Sequence, residues 1–368
     1  MDMKSYSEMI HGIVVPSNLS YEERAKRYQP LMDFLRAETP EELYRFRCCD
    51  EKTISAFDQD QIWVSPGYKM NDDFDTLLYF DKEAIKSNLR TALQSENFIS
   101  AIQSIGQGSE IPAPAQNLFP SEMLEAVRNG ISQMDQTAIT TAIDQFYSLC
   151  TNEIDINDTA IRQIIQSQKS IKFACFSEAI DSAAMWGYYA GSSSGFALSY
   201  DFRDGHYIKC DSCPNGNQCP NYKNSSLAPV VYGDNRFDAT VYATWLVQQQ
   251  IMQKMLAERN AFALYSLFQD MIPCPDMFMG TKVLLHKASA WSHEQEWRLI
   301  CQSSSSKFKE EEFSYAEKRP TAVYLGRKIS PIYEKILRHI AVDKNIPVYK
   351  MHIRREESSY KLYPEKIS

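Results

Sequence analysis

Two glutamates separated by a single residue, Glu294 and Glu296, stand in the segment HEQEWRL. Alternate side chains of a β-strand share a face, so strand periodicity places both carboxylates on one face, with Gln295 and Trp297 on the other. Like charges held close together raise at least one carboxyl pKa unless a cation compensates, and such a pair suits the binding of hydroxyl groups or a developing sugar cation. The alternative is a solvated strand face, which is the commonest setting of an E-x-E pattern.

Two arginines recur at the same spacing in the segment LYRFR. A strand there puts Arg45 and Arg47 on one face and Tyr44 and Phe46 on the other. A guanidinium forms planar, bidentate hydrogen bonds to phosphate or carboxylate, so either a diphosphate ligand or internal Asp/Glu partners would satisfy the pair. Ion pairing on the protein surface is the competing interpretation.

A third candidate site joins the segment CFSE to the aromatic segment MWGYYA. Ser177 ends an apolar strand, and Trp186, Tyr188 and Tyr189 follow on a short predicted helix. A hydroxyl beside aromatic faces could bind a ribose and stack on a flat, cationic ring. Trp186 also has a purely structural interpretation, since large aromatic side chains are usually buried for their area.

A loop rich in cysteine, at about 203–225, contains the pattern H-x3-C-x2-C-x5-C. Its potential ligands are His206, Cys210, Cys213 and Cys219. Three thiolates and one imidazole would fill a tetrahedral shell, which predicts a structural zinc rather than a catalytic one. Free cysteines in a flexible loop are the alternative.

Composition narrows the function classes. The chain has 368 residues with 39 basic and 47 acidic side chains, a net charge of −8, which argues against a protein held on nucleic acid by a generally basic surface; a local basic cleft stays open. A P-loop, a G-x-G-x-x-G loop after a strand, H-E-x-x-H, G-x-S-x-G and the kinase signatures are missing, which removes the simplest ATPase, dehydrogenase, zinc-protease and hydrolase assignments.

The sequence also indicates a compartment. A run of about 18 apolar residues is missing, and the first residues lack the features of an export signal, so we expect a cytoplasmic protein that does not enter membranes. In that compartment we expect the nine cysteines to be reduced thiols rather than a disulfide framework.

The candidate site residues must be positioned by helices and strands, and the sequence predicts where these lie. We expect an N-terminal helical docking segment at 1–40, in which Pro30 kinks or divides a helix, and a single mixed domain at 41–368. Polar helical sequence without obvious strands predicts helical insertions at about 81–168 and 240–285. Because the strand-like segments cluster in three separated blocks, the predicted fold is α+β, with a twisted, mainly antiparallel strand core forming a cleft.

Several segments follow one another along the chain: LYRFR, IWVSPGYKMNDDFD, FACFSEAIDSAAMWGYYAGSSSGFALSYD, KASAWSHEQEWRL and the closing AVYLG, IPVYK and YKLYP. Taken in order, they resemble a widespread bacterial family catalogued as domain of unknown function 2971. The resemblance covers about residues 43–80, 171–235 and 283–363. It implies no activity.

The order Arg47, Ser177, Glu294/Glu296 is also similar, more distantly, to ADP-ribosyltransferases of the Arg–Ser–Glu class. That resemblance implies an ADP-ribosyltransferase-like fold and NAD as substrate, with Arg47, or its neighbour Arg45, seating NAD. The Ser177 strand would shape the nicotinamide–ribose pocket, Glu296 would stabilise an oxocarbenium-like ribose as nicotinamide leaves, and Glu294 would orient the acceptor.

Two functions follow as hypotheses. The first is an NAD-dependent ADP-ribosyltransferase that cleaves the nicotinamide–ribose bond and transfers ADP-ribose to a protein or nucleic-acid acceptor or to water. The second is a non-catalytic nucleotide-sensing or protein-interaction module of a bacterial stress or phage-defence system. The enzyme requires the Glu296 carboxylate in a cleft near Arg47 and Ser177, whereas a module does not.

Overall fold

The computed structural model describes residues 2–94, 96–109, 121–152, 162, 171–203, 207–208, 226–258, 273–302 and 314–368. Its strands are β1 (Leu43–Arg47), β2 (Gln61–Pro66), β3 (Ile171–Ser177), β4 (Phe196–Tyr200), β5 (Tyr207–Ile208), β6 (Ser226–Pro229), β7 (Val231–Gly233), β8 (His286–Ala288), β9 (Glu296–Gln302), β10 (Ser314–Glu317), β11 (Ala322–Leu325), β12 (Val348–His352) and β13 (Tyr363–Lys366).

Its helices are α1 (Met3–Gly12), α2 (Tyr21–Glu38), α3 (Glu51–Asp58), α4 (Lys82–Leu93), α5 (Glu96–Gly106), α6 (Ser121–Ser132), α7 (Gln136–Asn152), α8 (Ala183–Tyr188), α9 (Thr240–Glu258), α10 (Met279–Leu284) and α11 (Pro331–Asp343). Short 3₁₀ helices at Gly67–Lys69 and Ser289–Glu294 complete the described elements. Side-chain caps fix several helix starts, among them a capping box at Ser20 for α2 and another at Asp50 for α3. Helix α2 continues through Pro30 without dividing.

One branched sheet contains most of the strands. Its main path runs β13-β12-β11-β4-β1-β3-β2-β10-β5, and β9 and β6 extend it from β3. Strand β9 pairs with one edge of β3 over its whole length. The opposite edge of β3 is shared by two strands: β1 pairs there at Ser177, and β2 pairs at Lys172 and Phe173. The pairs β11–β12 and β7–β8 are parallel, and the other described pairs are antiparallel. A mixed α+β architecture with a mainly antiparallel sheet is therefore confirmed.

The helices of the two predicted insertions pack on one another. In the described part of 81–168 the elements are α4 to α7, and α9 and α10 occupy much of 240–285. Leu89 of α4 and Val247 of α9 lie in one small apolar core. Just before these two regions, the Tyr79 amide donates to the Phe237 carbonyl at 2.9 Å. None of the helices within the described residues has the length and hydropathy needed to cross a membrane.

The N-terminal helices contribute to the main core. Tyr6 and Ile10 of α1 are fully buried together with Leu31 of α2 and the apolar side chains of β3 and β9. The Tyr6 hydroxyl donates to the Pro229 carbonyl at 2.9 Å, which ties α1 to β6. The N-terminal helices are thus packed against the sheet in which Glu296 lies.

Candidate functional site

The two glutamates lie where β9 begins, but not on one strand. Glu294 ends a 3₁₀ helix, Gln295 has a left-handed backbone with φ of 44°, and Glu296 is the first residue of β9. The expectation that strand periodicity aligns the pair is therefore wrong. Their carboxylates nevertheless converge, because both reach the Lys287 ammonium, at 2.5 Å from Glu294 and 2.9 Å from Glu296.

Ser177 lies directly beside this pair. It is the partner of Glu296 in the β3–β9 register, and its hydroxyl donates to the Glu294 carbonyl at 2.5 Å. The same hydroxyl accepts from the Ala179 amide at 3.0 Å. Ser177 is completely buried, so its hydroxyl holds the turn at Glu294 in place rather than facing solvent.

A buried charge cluster surrounds the glutamates; it consists of Asp75, Lys287, Glu294, Glu296 and Arg298. Arg298 donates to Glu296 at 2.7 Å and to Asp75 at 2.8 Å, and Lys287 lies 3.9 Å from Asp75. Asp75 is thereby joined in one network with four ionisable residues from a single distant stretch of the chain, 287–298.

Arg298 is the most enclosed member. Its guanidinium also donates to the Leu284 carbonyl at 2.6 Å, and its central carbon, Cζ, lies 4.5 Å from the centre of the Phe173 ring. The side chain is completely buried. Hydrogen bonds and ring contacts on all sides fix its position, so the Glu296 carboxylate that it binds is fixed as well.

The two glutamates differ in their electrostatics. Burial opposes ionisation of Glu296, but Arg298 and Lys287 outweigh it and lower its pKa to about 2. For Glu294 burial dominates, and its pKa is raised in spite of Lys287. Burial likewise raises the pKa of Asp75. With three carboxyl groups against two cations, the cluster has one carboxyl group in excess, and Glu294 is the one nearer the surface.

An aromatic rim covers the Glu294 end of the cluster; we define it as Tyr188, Tyr189, Trp291 and His293. The Tyr189 hydroxyl donates to Glu294 and accepts from the exposed Asn71 amide at 3.1 Å. Trp291 lies over the Lys287 ammonium, 5.2 Å from its ring centre.

The other members of the rim lie close by. The His293 ring is 6.1 Å from Trp291 and 6.3 Å from Tyr188, centre to centre. Tyr188 is 71% exposed, so the rim faces solvent while the charges lie beneath it.

The arginine pair lies on the opposite face of the sheet. Tyr44 pairs with Ser177, and Ser177 with Glu296, so these three side chains share one face. Arg45 and Arg47 follow Tyr44 by one and three residues in β1, so both point to the other face, and the two arginines share that face as their spacing predicted. Arg47 therefore lies on the other face of the sheet from Glu296, whereas the ADP-ribosyltransferase hypothesis expects both side chains in one cleft.

The surroundings of Arg45 agree with that placement. Its guanidinium lies 5.6 Å from the centre of Phe176, the neighbour of Ser177 on β3, and donates to the Trp63 carbonyl at 2.5 Å. Burial and the adjacent Arg47 lower the Arg45 pKa to about 9. Neither arginine forms an ion pair within the described part of the chain, and Arg45 Nε has no hydrogen-bond partner there.

Trp186 is part of the core. It is completely buried, its indole N–H donates to the Ile180 carbonyl at 2.7 Å, and Phe46 meets it edge to face at 5.2 Å. Its ring has no open face on which a nicotinamide could stack. Tyr189, proposed for the same role, lies in the rim.

The predicted zinc ligands cannot be placed: His206, Cys210, Cys213 and Cys219 lie outside the described residues. Within the described ranges no group of three or more His, Cys, Asp or Glu side chains could hold a metal ion. The zinc site stays a prediction.

Asp75, Lys287 and Arg298 were missed by sequence reasoning. Arg298 carried a usable signal, because it follows Glu296 by two residues and so shares its face of β9. Asp75 had none, since more than two hundred residues separate it from its partner Arg298. Its segment is held by a close contact: a side chain at Gly67 would collide with Thr76, whose own φ is 59°.

Comparison with known proteins gives one match. Residues 185–299 match the model of a family described as a protein of unknown function, DUF2971. No curated protein and no solved structure matches the chain. The matched region contains the aromatic rim and four members of the buried charge cluster, but neither Asp75 nor Ser177. Over that region, from α8 to the middle of β9, the chain is similar to the DUF2971 family.

Proposed function

We propose that the protein is a nucleotide-sensing module that binds NAD or a related nucleotide at the aromatic rim without cleaving it. The observation that supports this proposal is that the Glu296 carboxylate is buried and already bound by two cations of the protein. Glu296 is 3% exposed, and its carboxylate is bound by Arg298 on one oxygen and by both Arg298 and Lys287 on the other.

A glutamate that stabilises an oxocarbenium-like ribose must direct its negative charge at the sugar. At Glu296 two internal cations already take up that charge, and Arg47, the residue expected to seat the diphosphate, lies on the other side of the sheet. The geometry therefore favours recognition over bond cleavage.

The rim has features suited to a flat, cationic ring. Aromatic faces attract cations, and Tyr188, which is 71% exposed, presents such a face to solvent. The oxidised nicotinamide of NAD carries a positive charge, and the Tyr189 hydroxyl and the Asn71 amide offer hydrogen bonds to ribose hydroxyls.

Calorimetric titration with NAD and with NADH tests this proposal. Because the reduced nicotinamide is uncharged, we expect NAD to bind more tightly than NADH, and Tyr188→Ala to weaken NAD binding. Tyr21→Ala is the matched control, since Tyr21 is another exposed tyrosine, on α2. Equal affinity for NAD and NADH, or an equal loss of NAD affinity in Tyr188→Ala and Tyr21→Ala, would contradict recognition at the rim.

ADP-ribosyl transfer is the second candidate, and one observation favours it: Ser177 and Glu296 are register partners on adjacent strands, and Ser177 contacts Glu294. The test is incubation with labelled NAD and a lysate, following nicotinamide release and acceptor labelling together. We expect the wild-type protein to release no more nicotinamide than the Glu296→Gln variant does. If the wild type releases nicotinamide and folded Glu296→Gln is slower by roughly 10²–10³, transfer replaces sensing.

A further inference from the structure

Two histidines from distant parts of the chain face each other where α1 meets the small parallel pair β7–β8. His11 lies in the last turn of α1, and His286 is the first residue of β8. Their Nε2 atoms are 3.2 Å apart, and the rings are nearly perpendicular, with centres 4.9 Å apart.

The other nitrogen of each ring determines the tautomer. His11 Nδ1 is 2.6 Å from the Ser7 carbonyl, and His286 Nδ1 is 2.5 Å from the Lys282 carbonyl. A carbonyl oxygen only accepts hydrogen bonds, so each Nδ1 carries the hydrogen and each neutral ring has a lone pair on Nε2. Two lone pairs meeting at this distance repel each other unless a positively charged species lies between them.

We propose that His11 and His286 bind a divalent cation of the zinc type through their Nε2 atoms. In a tetrahedral zinc site with Zn–N of about 2.0–2.1 Å, two nitrogen ligands lie about 3.3–3.4 Å apart. The separation here is 3.2 Å, which needs only a small adjustment. A ligating histidine typically donates its other N–H to a backbone carbonyl, as both do here, and imidazole suits zinc, copper and nickel.

The surroundings are compatible with such an ion. Phe237 packs against both rings, at 5.8 Å from His11 and 4.6 Å from His286, and so restricts their orientation. The nearest cation, Lys282, forms a 2.8 Å ion pair with Asp276, which compensates its charge. His11 is exposed, which leaves an entry path. Since the described residues offer no third protein ligand, water completes the shell.

Such a site would join the N-terminal helix to the buried charge cluster. His286 precedes Lys287, the residue that binds both glutamates. An ion at His286 would thus hold α1 against the strand from which Lys287 extends. This consequence does not depend on the proposed nucleotide binding.

Titration of the metal-free, reduced protein with Co²⁺, a spectroscopic substitute for zinc, tests the proposal. The predicted zinc ligands at Cys210, Cys213 and Cys219 could bind a second ion, so the titration is done in a variant with these three cysteines changed to Ser. We expect one equivalent of Co²⁺ with d–d bands and no thiolate charge-transfer band. Zn²⁺ should displace it.

His11→Gln and His286→Gln should each lose that equivalent, whereas His339→Gln, at an exposed histidine on α11, should keep it. His286 is partly buried and its replacement can unfold the protein, so exposed His11 supplies the decisive variant. No binding by the parent protein, or binding that survives His11→Gln, overturns the proposal.

Discussion

Glu294 and Glu296 are separated by one residue, yet their environments act in opposite directions. Glu296 is held by two cations and has a lowered pKa, whereas burial raises the pKa of Glu294. Folding therefore favours the charged form of Glu296 and the neutral form of Glu294. The two side chains provide an internal comparison, because replacing each by the isosteric Gln should change the free energy of unfolding differently.

We expect Glu296→Gln to lower the free energy of unfolding by roughly 3 kcal/mol at pH 7, because it removes a buried charge that Arg298 and Lys287 need. Glu294→Gln should cause no loss, or a small gain, because it removes the excess carboxyl group. Urea denaturation of the two variants measures the difference. Equal destabilisation would mean that the folded protein needs the Glu294 carboxyl group as much as that of Glu296.

The acid dependence of stability follows from the same group. The folded pKa of Glu296 is about 2, below its ordinary value of 4.5, so its contribution is present above about pH 4.5 and is lost as the pH falls towards 2. We expect the difference in unfolding free energy between wild type and Glu296→Gln to be constant near neutrality and to shrink across that window. A constant difference down to pH 2 would contradict the pairing with Arg298.

Local patterns in the sequence selected the two glutamates and, as a separate candidate, Ser177 with Tyr189, and the structure brings the two sets together at Glu294. Such patterns could not supply Asp75, because an ion pair with Arg298 across more than two hundred residues leaves no periodic pattern. Lys287 was missed because it lies on a different strand, β8, and so is not part of the alternating pattern of β9. Arg47 was misplaced for a related reason: periodicity states which residues share a face of one strand, but not which face of the sheet that is.

At the scale of elements, the backbone between the two glutamates differs from the predicted strand. A 3₁₀ helix runs up to Glu294, and Gln295 turns the chain with a φ of 44° before β9 starts. An alternating pattern cannot reveal such a turn, because Gln has no special preference for it. By contrast LYRFR, at Leu43–Arg47, is the strand that its alternation predicted.

Gln295 should therefore tolerate glycine better than any β-branched residue. The left-handed region disfavours a side chain by roughly 1 kcal/mol, so we expect Gln295→Gly to leave stability unchanged or raise it by up to about that amount. Gln295→Val should lower it by at least as much. Thermal unfolding of both variants measures this; a strongly destabilised glycine variant would show that the exposed Gln295 side chain makes a contact of its own.

At the scale of the whole molecule, the three separated blocks of strands predicted a mixed, mainly antiparallel fold, and the structure has one. What the blocks could not reveal is how the sheet branches, since both β1 and β2 use the same edge of β3. Nor could they show where the N-terminal helix lies. An amphipathic helix indicates that one face is covered but does not identify the surface that covers it.

The hydroxyl of Tyr6 tests whether α1 is an integral part of this core. Tyr6 is fully buried and its hydroxyl donates to the Pro229 carbonyl, beside β9. Tyr6→Phe leaves that carbonyl without its partner, so we expect a loss of about 1–3 kcal/mol in unfolding free energy, whereas Tyr21→Phe, at an exposed position on α2, should change it by less than about 0.5 kcal/mol. Urea unfolding followed by tryptophan fluorescence and by far-UV circular dichroism gives both the stability and its cooperativity. If α1 packs as the structure shows, Tyr6→Phe shifts both signals together; a separate early loss of helix signal with an unchanged fluorescence transition would mean that α1 unfolds independently of the sheet.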